Sequence, residues 1–138
     1  MKKLLIFPFL VLFFSCEVEG DLTKTIENTS PISPGASVLY TGNFVPTSGI
    51  IAEGQAKIIS ENDELKLELS NFSISSGPDL KVYLSKSSTP DEFITLGNLT
   101  SAQIYSIPNS VNFNDYNHVL IHCQQYNHLF AVATLTQN

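Results

Sequence analysis

The sequence predicts an all-β domain, an antiparallel β-sandwich or barrel of about eight short strands, behind a targeting segment and a polar tether. Three observations carry this. From Ser37 onward, apolar residues alternate with polar ones in run after run, the period of a strand with one buried face. Gly, Pro, Asn, Asp and Ser cluster between those runs at roughly eight- to twelve-residue intervals, as in small all-β folds. Apolar residues nowhere recur at helical spacing over a useful length.

The chain opens with Met1-Lys2-Lys3, then eleven uncharged residues, Leu4 to Phe14. As a helix, that run would span about 16 Å at ~1.5 Å per residue, about half a bilayer. It therefore predicts a signal peptide over residues 1–15 and not a membrane-spanning anchor. Phe13-Phe14-Ser15-Cys16 follows directly. An apolar residue, a small residue and then cysteine resembles the lipobox of bacterial lipoproteins. The resemblance implies cleavage before Cys16 and a lipid on its sulfur and amino group. The alternative is an ordinary secretory signal with an incidental cysteine.

From Cys16 the chain has five lysines, no arginine and thirteen acidic residues, a formal charge of −8. Nucleic acid is disfavoured as a partner, because binding phosphates needs a basic patch. An anionic membrane surface offers no attraction either, so the membrane contact would come from the lipid on Cys16. Glu17 to Ala36 is polar and carries Pro31, Pro34 and Gly35. With few apolar residues it cannot bury a core, and it reads as a tether from 16 to 36. Glu17, Glu19 and Asp21 resemble the short acidic tags that direct some lipoproteins outward. The expected location is the bacterial cell envelope, at the outer membrane and on its exposed face. A solvated linker is the alternative reading of the same acids.

The domain is expected from 37 to 138. Val38, Tyr40 and Phe44 mark a first strand, broken at Gly42. Ile50 to Ser60 is a second, with a bulge at Gly54. Glu64 to Leu69 alternates most cleanly, with Leu65, Leu67 and Leu69 inward and Lys66 and Glu68 outward. Gly77-Pro78-Asp79 signals a turn, in which the Asp79 carboxylate is expected to accept backbone N–H bonds. A cation at Asp79 is the alternative. Leu80, Val82 and Leu84 share one face of the next strand. Ser85 to Glu92 reads as a polar loop, and Phe93–Leu99 and Gln103–Ile107 as short strands. Asp115-Tyr116 supports one helical turn at most.

The final stretch holds the chemistry. Val119, Ile121 and Cys123 alternate on one strand face, Leu120 and His122 on the other. Gln124 to Asn127 is a polar break of hairpin length, and His128 to Leu135 is a second apolar run. With both strands apolar at nearly every position, this hairpin is expected to be central and covered on both faces. Cys16 and Cys123 are the two cysteines of the chain, so a lipidated Cys16 leaves Cys123 without a partner. Cys123 has three readings: a small buried hydrophobe, a redox thiol, or a cofactor ligand. Covalent heme needs Cys-x-x-Cys-His, which is absent. A blue-copper centre needs two histidines, a cysteine and usually an axial methionine. Cys123-x4-His128 has the local spacing, and His122 is the other candidate, but Met1 is the sole methionine. His118 and His122 lie about 13 Å apart along a strand, too far to share an ion. No cofactor is firmly implied. Asp63-Glu64 and Asp91-Glu92 read as solvated loop charges. Asn28, Asn71 and Asn98 fit the Asn-x-Ser/Thr pattern, taken as chance in a bacterial lipoprotein. No Ser/His/Asp set, paired carboxylates or phosphate loop stands out, so an enzyme is not expected.

Gly77-Pro-Asp-Leu-Lys-Val-Tyr-Leu84, Leu96-Gly97-Asn-Leu99, Tyr105-Ser-Ile-Pro108, Tyr116 through Cys123, and Leu129-Phe130 together resemble the DM-thirteen domain, also called the electron-transfer DM-thirteen family. The likeness spans about Tyr40 to Leu135. It implies an extracytoplasmic module in which a single cysteine, here Cys123, has a proposed redox role as a free thiol or through a prosthetic group. Where the family often has tryptophan before that cysteine and a basic residue after it, this chain has His122 and Gln124. Two function classes follow. One is a membrane-tethered redox or electron-transfer module using Cys123. The other is a non-catalytic β domain that binds an envelope protein or glycan, with Cys123 in its core.

Overall fold

The structure is a computed structural model and describes residues 33–138. The predicted signal peptide 1–15, Cys16, the tether up to residue 32 and Asn28 lie outside the described residues.

Nine strands follow in order: β1 Ser37–Pro46, β2 Ala52–Glu61, β3 Glu64–Ile74, β4 Leu80–Ser85, β5 Phe93–Asn98, β6 Ile104–Ile107, β7 His118–Cys123, β8 His128–Thr134 and β9 Thr136–Gln137. All pairings are antiparallel. The strands lie side by side as β5-β4-β7-β8-β1-β2-β3-β6, with β9 added along β1. The sheet curls until its two outer strands, β5 and β6, meet, so the architecture is a nearly closed barrel. Tyr105 of β6 bridges the seam. Its hydroxyl donates to Asn98 O at 3.1 Å and accepts from Thr100 N–H at 3.1 Å.

One strand joins the two halves of the barrel. β1 pairs with β2 over residues 37–43 and with β8 over residues 44–46. Gly42, expected to break this strand, is instead the residue that lets it turn the corner. A side chain there would put its Cβ 2.4 Å from the Thr134 carbonyl oxygen. Absence of a side chain, and not a loop conformation, is what this position requires. Gly54 is the expected bulge: φ is +108° and the β2–β3 register shifts between Glu53 and Gln55.

The interior is filled by alternate residues of every wall. Phe44, Ala56, Ile58, Leu67, Leu69, Val82, Leu84, Val119, Ile121, Cys123, Ala131 and Ala133 all belong to it. The hairpin β7–β8 is central, as expected: β7 lies between β4 and β8. Its outward Leu120 is also fully buried, opposite Tyr83 on β4 and Val132 on β8. Tyr83 in turn stacks on Phe93, ring centroids 4.1 Å apart.

Several boundaries differ from the sequence pattern. β3 continues five residues past Leu69, to Ile74. Ser85, expected in a solvated loop, is fully buried at the end of β4. Its hydroxyl donates to Thr89 O and Glu92 O, at 3.1 and 3.2 Å, and so folds the 86–92 loop back on the strand end. The segment at Asp115-Tyr116 forms one turn, with Tyr116 N–H donating to Asn112 O at 2.9 Å.

Candidate functional site

Cys123 is the last residue of β7 and is fully buried. It is a free thiol. In the ladder it stands opposite Leu80 of β4 and His128 of β8. Directly opposed residues of an antiparallel pair share a face, so Leu80 and His128 lie on the thiol's side of the sheet. His128 is exposed and its ring packs edge-on against Phe130 at 5.1 Å. A bulge between Ile121 and His122 turns Phe130 into the core beside the thiol's row.

Gly77-Pro78-Asp79 closes over this end of the barrel. A Cβ on Gly77 would stand 2.9 Å from Leu80 Cδ2 and 3.0 Å from Phe130 Cζ, so glycine is what allows the turn to sit so low. The Asp79 carbonyl accepts the Gln124 N–H at 3.0 Å, which ties the turn to the tip of the β7–β8 hairpin. The sequence suggested that the Asp79 carboxylate accepts backbone N–H bonds; among the described residues no backbone N–H donates to it. It pairs with Lys81 Nζ at 2.9 Å, and Lys81 also donates to the Asn98 side chain. The two residues are neighbours in sequence, Asp79 in the turn and Lys81 one residue into β4, so the pair is a local contact across the strand's start. A pocket of about 400 Å3 opens beside the turn, lined among others by Ile74, Ser75, Asp79, Asn98 and Leu99.

His122 does not join Cys123. It faces the outside of the barrel and is 5% exposed, its ring 5.4 Å from that of Tyr83. The suggested set of Cys123, His128 and His122 is therefore split between the two faces of the β7–β8 hairpin. The described residues contain no group of three or more His, Cys, Asp or Glu side chains able to hold a metal ion. The sequence reading also missed a feature of the outer face. There Nδ1 of His118 and Nδ1 of His122, and just before β7 Oδ1 of Asn117, are buried with no hydrogen-bond partner among the described residues. Burial lowers the pKa of both histidines. At His122 the neighbouring Asn127 opposes that shift and His128 adds to it. The adjacent polar residues Asn117-His118 at the start of an apolar strand were the available signal.

No curated protein and no solved structure matches this chain. The model of the family described as Electron transfer DM13 matches residues 46–135. The matched span contains both halves of the site, the Gly77-Pro78-Asp79 turn and the strand ending in Cys123, and covers well over half of the chain. The chain belongs to the Electron transfer DM13 family.

Proposed function

We propose that this chain is a lipid-tethered, extracytoplasmic electron-transfer module held at the bacterial outer membrane through Cys16, and that Cys123 is its redox group. The supporting observation is the family match over nearly the whole domain, in which Cys123 is the one cysteine. Its sulfur lies at a strand end under two short turns, where a local opening exposes one residue without unfolding the barrel. The chemistry suited to a lone thiol is exchange with a partner's disulfide. The Cys123 thiol loses its proton to solvent, and the resulting thiolate attacks one partner sulfur. A new S–S bond forms, the partner's S–S bond breaks, and its second sulfur leaves as a thiolate.

A second reading has its own support. Cys123 has no exposed surface and sits in the apolar core, the usual place of a cysteine that acts as a small hydrophobe. The chain is then a non-catalytic envelope module that binds a protein or glycan. One experiment separates the two. The native mature protein is purified for an absorption spectrum and metal analysis, then titrated against glutathione redox buffers while Cys123 is followed by mass. The first reading expects a reversible, potential-dependent adduct or chromophore that Cys123→Ala removes. A thiol that stays unmodified across the whole titration, with no chromophore, leaves the second.

A further inference from the structure

The β7–β8 hairpin carries its bulge close to its tip. The register shifts between Ile121 and His122, and beyond that shift two rungs remain, His122 with Leu129 and Cys123 with His128. Gln124 to Asn127 closes the tip. Asn127 lies in the left-handed region at φ +48°, and its N–H donates to Gln124 O at 3.2 Å. The Gln124 N–H to Asp79 O bond at 3.0 Å ties the tip to the neighbouring turn, and two rungs, Cys123 with Leu80 and His122 with Lys81, join it to β4. Residues 122–129 therefore form a short section able to part from β4 while the ladder before the bulge holds.

His122 is the polar group of this section that the closed form serves worst. It is buried, and its Nδ1 has no partner among the described residues. Its ring hydrogen-bonds the Asn127 side chain at the tip. On β4, Lys81 stands directly opposite with its charge offset by Asp79 at 2.9 Å, and the Tyr83 ring is 5.4 Å away. β5, beyond β4, has no charged residue. On β8 the titratable neighbour is His128, whose charge adds to the cost of protonating His122. His118 lies on the same face about 13 Å back along β7. The one carboxylate among these neighbours, Asp79, is engaged by Lys81. An imidazolium at His122 would hold a buried N–H with no acceptor.

We propose that residues 122–129 are a pH-sensitive cover over Cys123, closed while His122 is neutral and opened when His122 takes up a proton. In the closed form burial holds His122 below its ordinary value of 6.5, and in the open form the solvated ring returns to that value. The open form binds the proton first, so closure has its full stability above about pH 6.5 and weakens below it. The open population gains at most about tenfold for each pH unit. Cys123 follows His122 in the chain, so the same opening takes the thiol away from its rung with Leu80. The cover sets when the thiol is reachable and not what it reacts with, so it does not rest on the redox reading of Cys123.

The test uses the full chain and follows maleimide labelling of Cys123 by the mass of its peptide. Dividing the rate in denaturant by the rate in the native protein at the same pH removes the thiol's own pH dependence. Between about pH 7.5 and about pH 5.5 this protection ratio is expected to fall several-fold, at most about tenfold, in the wild type and in His118→Phe. It should stay constant in His122→Phe, or in His122→Gln where the phenylalanine does not fold. Low urea should change the native rate little at the acid pH, because a local opening exposes few residues. A wild-type ratio that does not change with pH overturns the proposal without any variant. An equal fall in the His122 variants, or a fall abolished by His118→Phe, overturns it too. So does a native rate that climbs with urea as steeply as global unfolding, which would assign exposure of the thiol to loss of the whole barrel. A thiol unmasked by acid yet inert in glutathione buffers would uphold the cover and dismiss the redox reading.

Discussion

Cys123 is fully buried in the apolar core cluster, and its behaviour follows from that. In the folded domain a maleimide should label it slowly, and in denaturant quickly, because the reagent reaches the sulfur only when the strand end opens. Cys123→Ser places a hydroxyl without a partner in the core and should destabilise by about 1–3 kcal/mol. Cys123→Ala removes the sulfur without adding a polar atom and should cost about as much or somewhat less. Fast labelling of the native domain would show a surface thiol and contradict the packing. The histidines on the outer face make a second residue-scale prediction. Burial holds both below the ordinary value of 6.5, so the unfolded chain takes up their protons first. The stability they contribute is complete above about pH 6.5 and falls as the pH drops below it. Glu61, lowered mainly by its hydrogen bond from Lys66, acts in a separate window below the ordinary carboxylate value of 4.5. Urea midpoints should therefore fall between about pH 7.5 and pH 5, and less so in the double variant His118→Phe, His122→Phe. An unchanged fall in that variant would assign the acid sensitivity to other groups.

At the scale of single elements, the seam between β5 and β6 is the weak line of the barrel. No ladder joins the two strands, and the Tyr105 hydroxyl spans the gap to Asn98 and Thr100. Tyr105→Phe keeps the ring and loses both hydrogen bonds, which should cost about 1–3 kcal/mol. Amide exchange should rise first in β5 and β6 and leave β7 protected; uniform faster exchange would mean that the seam does not open by itself. The strands that were legible in the sequence are those whose two faces differ. In β3 the order Leu65, Lys66, Leu67, Glu68, Leu69 announces both strand and inner face, and the structure buries Leu67 and Leu69 fully or nearly so. The clean alternation stops at Leu69, and local sequence does not reveal that β2 still runs beside Ser70 to Ile74. Gly42 misled for a related reason. Glycine signals either a turn or a close approach, and the approach at Gly42 is to Thr134, some ninety residues away. The site divides the same way. Alternation put Cys123 and His122 on opposite faces, whereas the burial that leaves His118 Nδ1 and His122 Nδ1 without partners depends on contacts between strands.

For the whole molecule, charge polarity bears on attachment. The chain reaches the barrel at the end that carries Asp63, Glu64 and Glu61, the last paired with Lys66, so the β2–β3 turn keeps a net negative charge. An anionic bilayer repels that end, and no helix among the described residues is long and apolar enough to cross a membrane. Nothing in the charge of the domain therefore holds it to a membrane, and a lipid on Cys16 would have to supply the whole affinity. An acyl chain contributes ~0.8 kcal/mol per buried CH2, and a single chain binds only reversibly, so more than one is needed for stable anchoring. Two outcomes of Cys16→Ala fit this account: a processed form released in soluble fractions, or a precursor still carrying residues 1–15. The two differ by the mass of the amino terminus. High salt should not matter to the wild type, because its attachment is not electrostatic, and it should not be needed to release the processed variant. A processed Cys16→Ala chain that stays with the membrane through a salt wash would rule out the lipid on Cys16 as the anchor, and would turn attention to apolar side chains the domain exposes, Ile51 and Tyr126.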